Sequence, residues 1–387
     1  MRIAIYGGSF NPPHRGHVEA ARSVQAALKP DKLLIIPTNI PPHKQMEADS
    51  PKPSERLAFC RLAFEDIPGA EISDLEIRRK GKSYTYDTVT LLKKQNPGAE
   101  LCLVMGTDMF LSFRTWYRWE DILQCCTLAV LSRETDDADE ITAFREELAR
   151  ENRAKILQVP HEALPMSSTE IRAKLRHAEG AALLPEKVYR RILRKGSYGA
   201  RPELDWLWEQ TKTYLSARRV PHVQGVWEQA VLLARRWGED EYDAAEAGIL
   251  HDITKNLSYE KQLKLCKKYG IMLSNAEKES PALLHAITGA ALARDRFGIP
   301  DKIYDAIRWH TTGRPEMTRL EKIIYLADYT EPNRDFEGVE PLRALTFESL
   351  DAAMALGLKM SLEEIRARSI EPFRDTIDAY EYFKDKQ

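Results

Sequence analysis

The sequence predicts an α/β doubly wound parallel sheet followed by an all-α helical bundle, and three observations carry that expectation. Short apolar runs alternate with amphipathic helical patterns through the first half, as in a parallel sheet covered by helices. Gly, Ser and Pro concentrate at Lys195-Gly196-Ser197-Tyr198-Gly199-Ala200-Arg201-Pro202, a composition typical of domain boundaries. Beyond that stretch strand signals vanish and helical periodicity takes over. A chain of 387 residues exceeds what one core usually supports. Domains over 1–198 and 199–387 are therefore expected.

In chain order, Arg2-Ile3-Ala4-Ile5-Tyr6 is an apolar run that reads as a buried strand, and Val18 to Leu28 reads as a helix. Between them lies Gly7-Gly8-Ser9-Phe10-Asn11-Pro12-Pro13-His14-Arg15-Gly16-His17. A strand, a Gly-rich turn and a helix start gather backbone N–H groups and two imidazoles in one small space, which suits phosphate. A side chain at Gly7 or Gly8 would hold a ligand away from the backbone. Pro12-Pro13 stiffens the turn, and His14 and His17, three apart, share a face on a helix's first turn.

Lys32 to Pro37 is a second strand, ending in the loop Thr38 to Lys44. Open α/β sheets place ligands at that edge, so Lys44 is either a phosphate contact or a solvated loop lysine. Ser54 to Asp66 is an amphipathic helix, and Glu71 to Ile77 alternates like a strand. The loop Gly81 to Thr88 leads into a helix from Val89, capped by Asp87 or Thr88. Leu101 to Met105 is another strand, closing on Gly106-Thr107-Asp108; the next segment, Met109 to Ile122, carries Trp116 and Trp119. Leu128 to Leu131 is a further strand with Arg133 just beyond it. Asp136 to Glu151 is an exposed helix, Ala154 to Val159 the last strand, and Leu184 to Arg194 the last helix. Met166-Ser167-Ser168-Thr169-Glu170-Ile171-Arg172 puts hydroxyls at a helix start and on its own terms is an N-cap.

In the second half, Asp205–Ala217, Val226–Trp237, Asp243–Leu250, Tyr259–Tyr269, Ala282–Phe297, Asp301–His310, Arg319–Asp328 and Leu345–Met360 carry helical periodicity. His222, the pair His251-Asp252, His285, His310 and Asp328 stand at separated helical sites. Four histidines and two aspartates in one bundle suggest a site assembled from several helices. A binuclear metal centre needs about that many ligands, and Asp252 could bridge.

Composition narrows the function classes. Apolar content of 43% and charged content of 30% describe an ordinary globular protein. A net charge of −2 argues against a general nucleic-acid binder, and no apolar run is long enough to cross a bilayer. The N-terminus reads as a strand rather than a leader. The five cysteines include no Cys-x-x-Cys pair and read as reduced thiols, so a cytoplasmic location is expected. Neither nucleic acid nor a membrane is an expected partner, whereas a homo-oligomer is compatible with the sequence.

The string ending in His14-Arg15-Gly16-His17 resembles the His-x-Gly-His signature of the nucleotidyltransferase superfamily, and with Asn11-Pro12-Pro13 it is similar to bacterial nicotinate mononucleotide adenylyltransferases. Those enzymes more often have Thr and Asp at the positions of Ser9 and Asn11; both exchanges keep a hydroxyl or carbonyl oxygen. The resemblance covers residues 1 to about 195 and implies a Rossmann-like fold that transfers AMP from ATP, carried with Mg²⁺, to nicotinate mononucleotide. It implies that His14 and His17 stabilise charge on the transferring phosphoryl group. Gly7, Gly8, Ser9, Phe10 and Lys44 would contact nucleotide. Tyr84 and Thr85 would present main-chain groups to the nicotinate carboxylate, with Trp116 stacking on its ring. Gly106 and Asp108 would approach ATP or its ribose, Arg133 would lie at the same edge, and Ser168, Thr169 and Arg172 would grip the phosphates.

The second half resembles the HD-domain phosphohydrolases. His222-Val223-Gln224-Gly225-Val226, Leu250-His251-Asp252-Ile253-Thr254-Lys255, Leu284-His285, Ile323-Ile324-Tyr325-Leu326-Ala327-Asp328-Tyr329 and Glu331-Pro332-Asn333-Arg334-Asp335-Phe336 are similar to a bacterial subgroup that splits diadenosine tetraphosphate into two ADP with a di-iron centre. The resemblance implies that His222, His251, Asp252, His285, His310 and Asp328 hold two divalent metal ions, iron in that subgroup. Lys255 and Arg334 would meet substrate phosphate. Two other readings stay open: an adenylyltransferase for another acceptor such as phosphopantetheine, and a helical half that binds nucleotide as a regulatory module.

Overall fold

The computed structural model describes residues 1–42, 46–79, 81–132, 138–274, 278 and 281–386. It separates into two compact units, Met1–Ala200 and Arg201–Gln387. Lys44 and Arg133 lie outside the described residues.

The first unit is built on a six-stranded parallel sheet of order β3-β2-β1-β4-β5-β6. Its strands are β1 (Arg2–Gly8), β2 (Lys32–Pro37), β3 (Ala70–Ile72), β4 (Glu100–Gly106), β5 (Thr127–Ser132) and β6 (Ile156–Pro160). The apolar runs of β1, β2, β4 and β5 are continuous and buried, as the inner strands of a parallel sheet covered by helices require, whereas the edge strands β3 and β6 are partly exposed. Ile3, Ile5, Leu101, Leu103 and Val130 pack on Phe110, Phe113 and Val89 in one buried cluster. The helices are α1 (Arg15–Leu28), α2 (Pro53–Ala63), α3 (Leu75–Arg79), α4 (Thr85–Gln95), α5 (Thr107–Leu111), α6 (Trp119–Cys125), α7 (Ala138–Asn152), α8 (Ser168–Arg176) and α9 (Glu186–Lys195). Strand order reverses between β1 and β4, and at such a reversal the connections leave a crevice beyond the strand C-termini.

Two expectations in this unit are corrected. The strand expected over 71–77 stops at Ile72. Ser73 Oγ then accepts from Leu75 N and α3 begins, because buried Glu76 is drawn toward the Thr88 hydroxyl, which donates to it at 2.7 Å. Helix α4 starts at Thr85, earlier than Val89, with Tyr84 at the cap position and Asp87 inside the first turn.

The second unit is helical: α10 (Leu204–Lys212), α11 (Val220–Trp237), α12 (Glu241–Leu250), α13 (Tyr259–Tyr269), α14 (Pro281–Phe297), α15 (Asp301–Trp309), α16 (Arg319–Thr330), α17 (Val339–Glu348), α18 (Leu350–Ala367) and α19 (Arg374–Phe383). Val226, Leu250, Ile307, Ile323 and Leu358 lie in its common core. The single helix expected over 345–360 is two. Ser349 is extended and its hydroxyl accepts from Ala352 N at 3.2 Å, capping a new helix. Helix α19 was not expected; it seats Ala379 and Phe383 in the core. No helix of the described residues is long and apolar enough to cross a membrane.

Helices α11 and α12 touch backbone to backbone at Gly248, where a Cβ would stand 2.9 Å from Trp227 Cα. Any side chain there must push the helices apart. Gly248→Ala should therefore destabilise the helical unit by about 1–3 kcal/mol, read as a lower thermal midpoint. An unchanged midpoint would show that this contact can open freely.

Candidate functional site

In the first unit, the crevice at the β1/β4 reversal holds a cavity of about 570 Å³ lined by Tyr6, His14, His17, Gly106, Asp108 and His161, among others. Cβ atoms built at Gly7 and Gly106 would meet nothing within 4 Å, so both strand ends present bare backbone to open space. His14 sits at the N-cap of α1 and its backbone N–H donates to His17 Nδ1 at 3.2 Å. The two imidazole centroids lie 3.7 Å apart. A Cβ at Gly16 would approach His14 Nδ1 to 3.1 Å, so the glycine between the histidines is what leaves room for the His14 ring.

Both imidazoles are held neutral. Burial lowers His14 to about 4. Burial, and then the neighbouring His14, push His17 well below its ordinary value. Because His17 Nδ1 accepts a hydrogen bond, its proton belongs on Nε2.

The loop carrying these residues is fixed by two buried arginines. Arg56 donates to Ser9 O at 2.6 Å, Thr38 O at 2.7 Å and Asn39 O at 2.9 Å. Arg172 donates to Asn11 O at 2.9 Å and pairs with Glu47. Tyr198 OH donates to Asn11 Oδ1 at 2.7 Å, and Ser168 Oγ donates to Pro12 O at 3.1 Å.

Several residues expected at the nucleotide stand elsewhere. Phe10 is fully buried, edge-on to His17 at 5.1 Å and to Phe64 at 5.6 Å; it supports the His17 ring rather than facing the cleft. Gly8 serves that packing, since a Cβ would lie 3.1 Å from the Phe10 ring. The Ser9 carbonyl is taken by Arg56. Arg172 is only 2% exposed, and its guanidinium holds the loop instead of opening to solvent. Thr169 is exposed, and its Oγ1 accepts from Arg172 at 3.2 Å.

Tyr84, Thr85 and Trp116 are absent from the cavity that His14 and His17 line. Tyr84 packs at 4.9 Å on Tyr117, which also meets Tyr86 edge-on at 6.1 Å. Trp116, half-buried, leans on Phe113, and Trp119 packs on the core. Sequence reasoning missed Arg56, Tyr6 and His161. His161, held by Ser23 Oγ at 3.0 Å, follows the last strand, and that position beyond a strand's C-terminus was the available signal.

In the second unit, the six expected ligands converge as two groups: His222, His251 and Asp328, and Asp252, His285 and His310. Asp252, fully buried, lies between them. Its Oδ2 is 3.4 Å from His251 Nε2 and 3.7 Å from His222 Nε2. Its Oδ1 is 3.2 Å from His285 Nε2 and 3.8 Å from His310 Nε2. His222 Nε2 also lies 3.1 Å from Asp328 Oδ1. Close as they are, His222 Nε2, His251 Nε2 and Asp252 Oδ1 make no aligned hydrogen bond. Buried polar atoms rarely stay unpaired, and nitrogen and carboxylate donors aimed at common points are what a pair of divalent cations requires. The residues fit the metals.

The histidine rings are oriented from behind. His251 Nδ1 donates to Gly248 O and His310 Nδ1 to Ile307 O, each at 2.7 Å, which leaves Nε2 as the nitrogen turned toward the site. Burial opposes the charge on Asp252, but His251 and His285 outweigh it and hold the carboxyl well below the usual range. Asp328 is lowered likewise, against burial, by His222 and Arg334. Lys255 Nζ stands 3.3 Å from His285 Nε2, and burial lowers its ammonium. Arg334 donates to Asp328 Oδ1 at 2.6 Å. Sequence reasoning missed Arg219, which pairs with Asp252 from a position three residues before His222.

Comparison with known proteins agrees with this division. A cytidylyltransferase-like family model matches residues 5–174, and an HD-domain model matches 219–333. A Clostridium tetani protein named probable nicotinate-nucleotide adenylyltransferase is 35% identical over 196 residues, covering 50% of this chain and 98% of its own. A Fusobacterium nucleatum protein of the same name is 36% identical over the same shares. By its first half, this chain belongs to the nicotinate-nucleotide adenylyltransferase family. To those relatives' length this member of the family adds a second half with an HD domain. A Clostridium acetobutylicum structure, named a predicted HD superfamily hydrolase involved in NAD metabolism, is 34% identical, with a TM-score of 0.47, covering 49% of this chain and all of that one.

A neutral His14 has a stability consequence. Its folded value of about 4 lies below the ordinary 6.5, so as pH falls the unfolded chain takes up the proton first. The corresponding stability is present above pH 6.5 and is lost toward pH 4, by up to about 3 kcal/mol. His14→Gln should flatten the dependence of the first unit's thermal midpoint on pH across that window. Parallel curves for parent and variant would refute the assignment.

Proposed function

We propose that the first half transfers the adenylyl group of ATP to nicotinate mononucleotide, giving nicotinate adenine dinucleotide and pyrophosphate. The observation that carries this reading is the neutral imidazole pair beside bare strand ends in the switch-point cavity. The names of the relatives supply the acceptor. A phosphate oxygen of the mononucleotide attacks the α-phosphorus of Mg²⁺-bound ATP as the bond to the bridging oxygen breaks and pyrophosphate departs. Positioning and charge stabilisation suffice for such a transfer, with no covalent enzyme intermediate. His17 donates its Nε2–H to the negative charge that grows on the α-phosphoryl oxygens, a preorganised interaction that strengthens in the transition state. His14 lies alongside at the positive end of α1 and adds to the same field. Gly7 and Gly106 let phosphate approach main-chain N–H groups. By resemblance Trp116 stacks on the nicotinate ring, an aromatic contact that suits a flat heteroaromatic.

For the second half we propose a metal-dependent phosphohydrolase that cuts diadenosine tetraphosphate symmetrically into two ADP. Asp252, presenting one oxygen to each ligand group, carries this reading. Two divalent cations, iron by resemblance, supply Lewis acidity and a water of lowered pKa when bound by the six residues. Asp252 fixes the two groups at one spacing, while Gly248 O and Ile307 O keep two of the imidazoles turned inward. Arg219, Lys255 and Arg334 are cations at the same site, placed to hold the polyphosphate.

The full-length protein should form nicotinate adenine dinucleotide from ATP and nicotinate mononucleotide, and ADP as the sole product from diadenosine tetraphosphate. His17→Ala should lower the first rate by about 10²–10³-fold and leave the second unchanged. Asp252→Asn should do the reverse and lower the bound metal found by elemental analysis. Faster transfer to phosphopantetheine would overturn the first reading, and a metal-loaded protein inert toward dinucleoside polyphosphates would overturn the second.

A further inference from the structure

One carboxylate outside the six ligands is aimed at the metal site from behind. Glu331, just past α16, is 1% exposed, and its Oε1 lies 3.1 Å from His222 Nδ1. Its other oxygen accepts from Asn333 N at 2.7 Å and from Asn333 Nδ2 at 2.9 Å. Asn333 Nδ2 reaches on to Pro221 O at 3.2 Å, so the carboxylate is tied to the start of the helix that bears His222. Position 225, three residues after His222, must be glycine for this arrangement, because a Cβ there would overlap Glu331 Oε2.

The histidines are thus backed unequally. His251 and His310 donate Nδ1–H to neutral carbonyls, whereas His222 faces an anion. A carboxylate accepting from Nδ1–H fixes the tautomer and raises the basicity of Nε2 toward a metal. The other group has the opposite neighbour, the Lys255 ammonium 3.3 Å from His285 Nε2. Arg219 and Arg334 pair with Asp252 and Asp328 and so temper the carboxylates without touching the His222 ring.

We infer that Glu331 is a positioning residue of this metal centre, and that by backing His222 it makes the His222–His251–Asp328 group the tighter of the two metal positions. The inference rests on the metal-dependent reading of the helical half. It places the two ions in order: the carboxylate-backed position fills first, and the position beside Lys255 fills second.

The test uses the full-length protein stripped with chelator and titrated with Mn²⁺ by calorimetry, with thermal midpoints measured with and without metal. The parent should bind two ions of unequal affinity. Glu331→Gln, isosteric but uncharged, should weaken the tighter step by about 10–100-fold and leave the other within about threefold. Its metal-free midpoint should match the parent's, and only the rise on adding Mn²⁺ should shrink. Glu331→Asp should recover part of the lost affinity. Identical titrations for parent and Glu331→Gln would overturn the inference, as would an equal fall in midpoint with and without metal, which marks a purely structural role. A parent that takes up no Mn²⁺ would overturn the metal-dependent reading itself, and the inference with it.

Discussion

A charge removed from water must find a partner, and both halves of this chain are arranged around that requirement. In the first half the charges are Arg56 and Arg172, each almost wholly buried. Their partners are backbone carbonyls of the loops at the sheet edge, together with Glu47. A guanidinium offers five donors in a fixed fork, so one side chain can define several carbonyl positions at once. In the second half the charge is Asp252, sealed among imidazoles. Removing either kind of partner leaves an uncompensated charge, which costs far more than the pair contributes.

The two halves build their candidate sites by different physics. The parallel sheet ends in a crevice because its strand order reverses, and there the protein offers bare backbone, a helix start and neutral imidazoles. Desolvation keeps those imidazoles uncharged, so they act as directed donors instead of ionic partners. The helical half instead gathers side chains from five helices or their ends and turns ring nitrogens and carboxylate oxygens inward. In one site the protein's dipoles face the cavity themselves; in the other, carbonyl dipoles orient the imidazoles.

Much of the fold could be read from the chain because the features involved are local. Continuous apolar runs marked the buried strands, and the string from Gly7 to His17 marked the first site by residue type and spacing. The six proposed ligands were legible for the same reason: few other roles bring four histidines and two aspartates into one bundle. What escaped were relations between distant positions. Arg56 acts on Ser9 and Glu331 on His222, 109 residues away, and no period or motif signals either. A motif also does not separate a side chain that faces ligand from one that holds the loop. Phe10 and Arg172 fall in the second class, since hydrophobic packing claims one and carbonyl acceptors the other. The short strand at Ala70 and the break at Ser349 show local hydroxyl bonds overriding a longer pattern.

The bonds from His251 Nδ1 to Gly248 O and from His310 Nδ1 to Ile307 O span three residues at helix ends, where carbonyls lack intrahelical donors. Each ring therefore terminates its own helix while its far nitrogen points inward. Swapping either histidine for alanine strips away two unrelated contributions in one stroke, so a dead variant at these positions is ambiguous between lost chemistry and a frayed scaffold. Asp328, inside its helix, closes no helix end; its carboxylate does hold Arg334, so Asp328→Asn, which keeps an acceptor for that guanidinium, is the cleaner place to interrogate the centre.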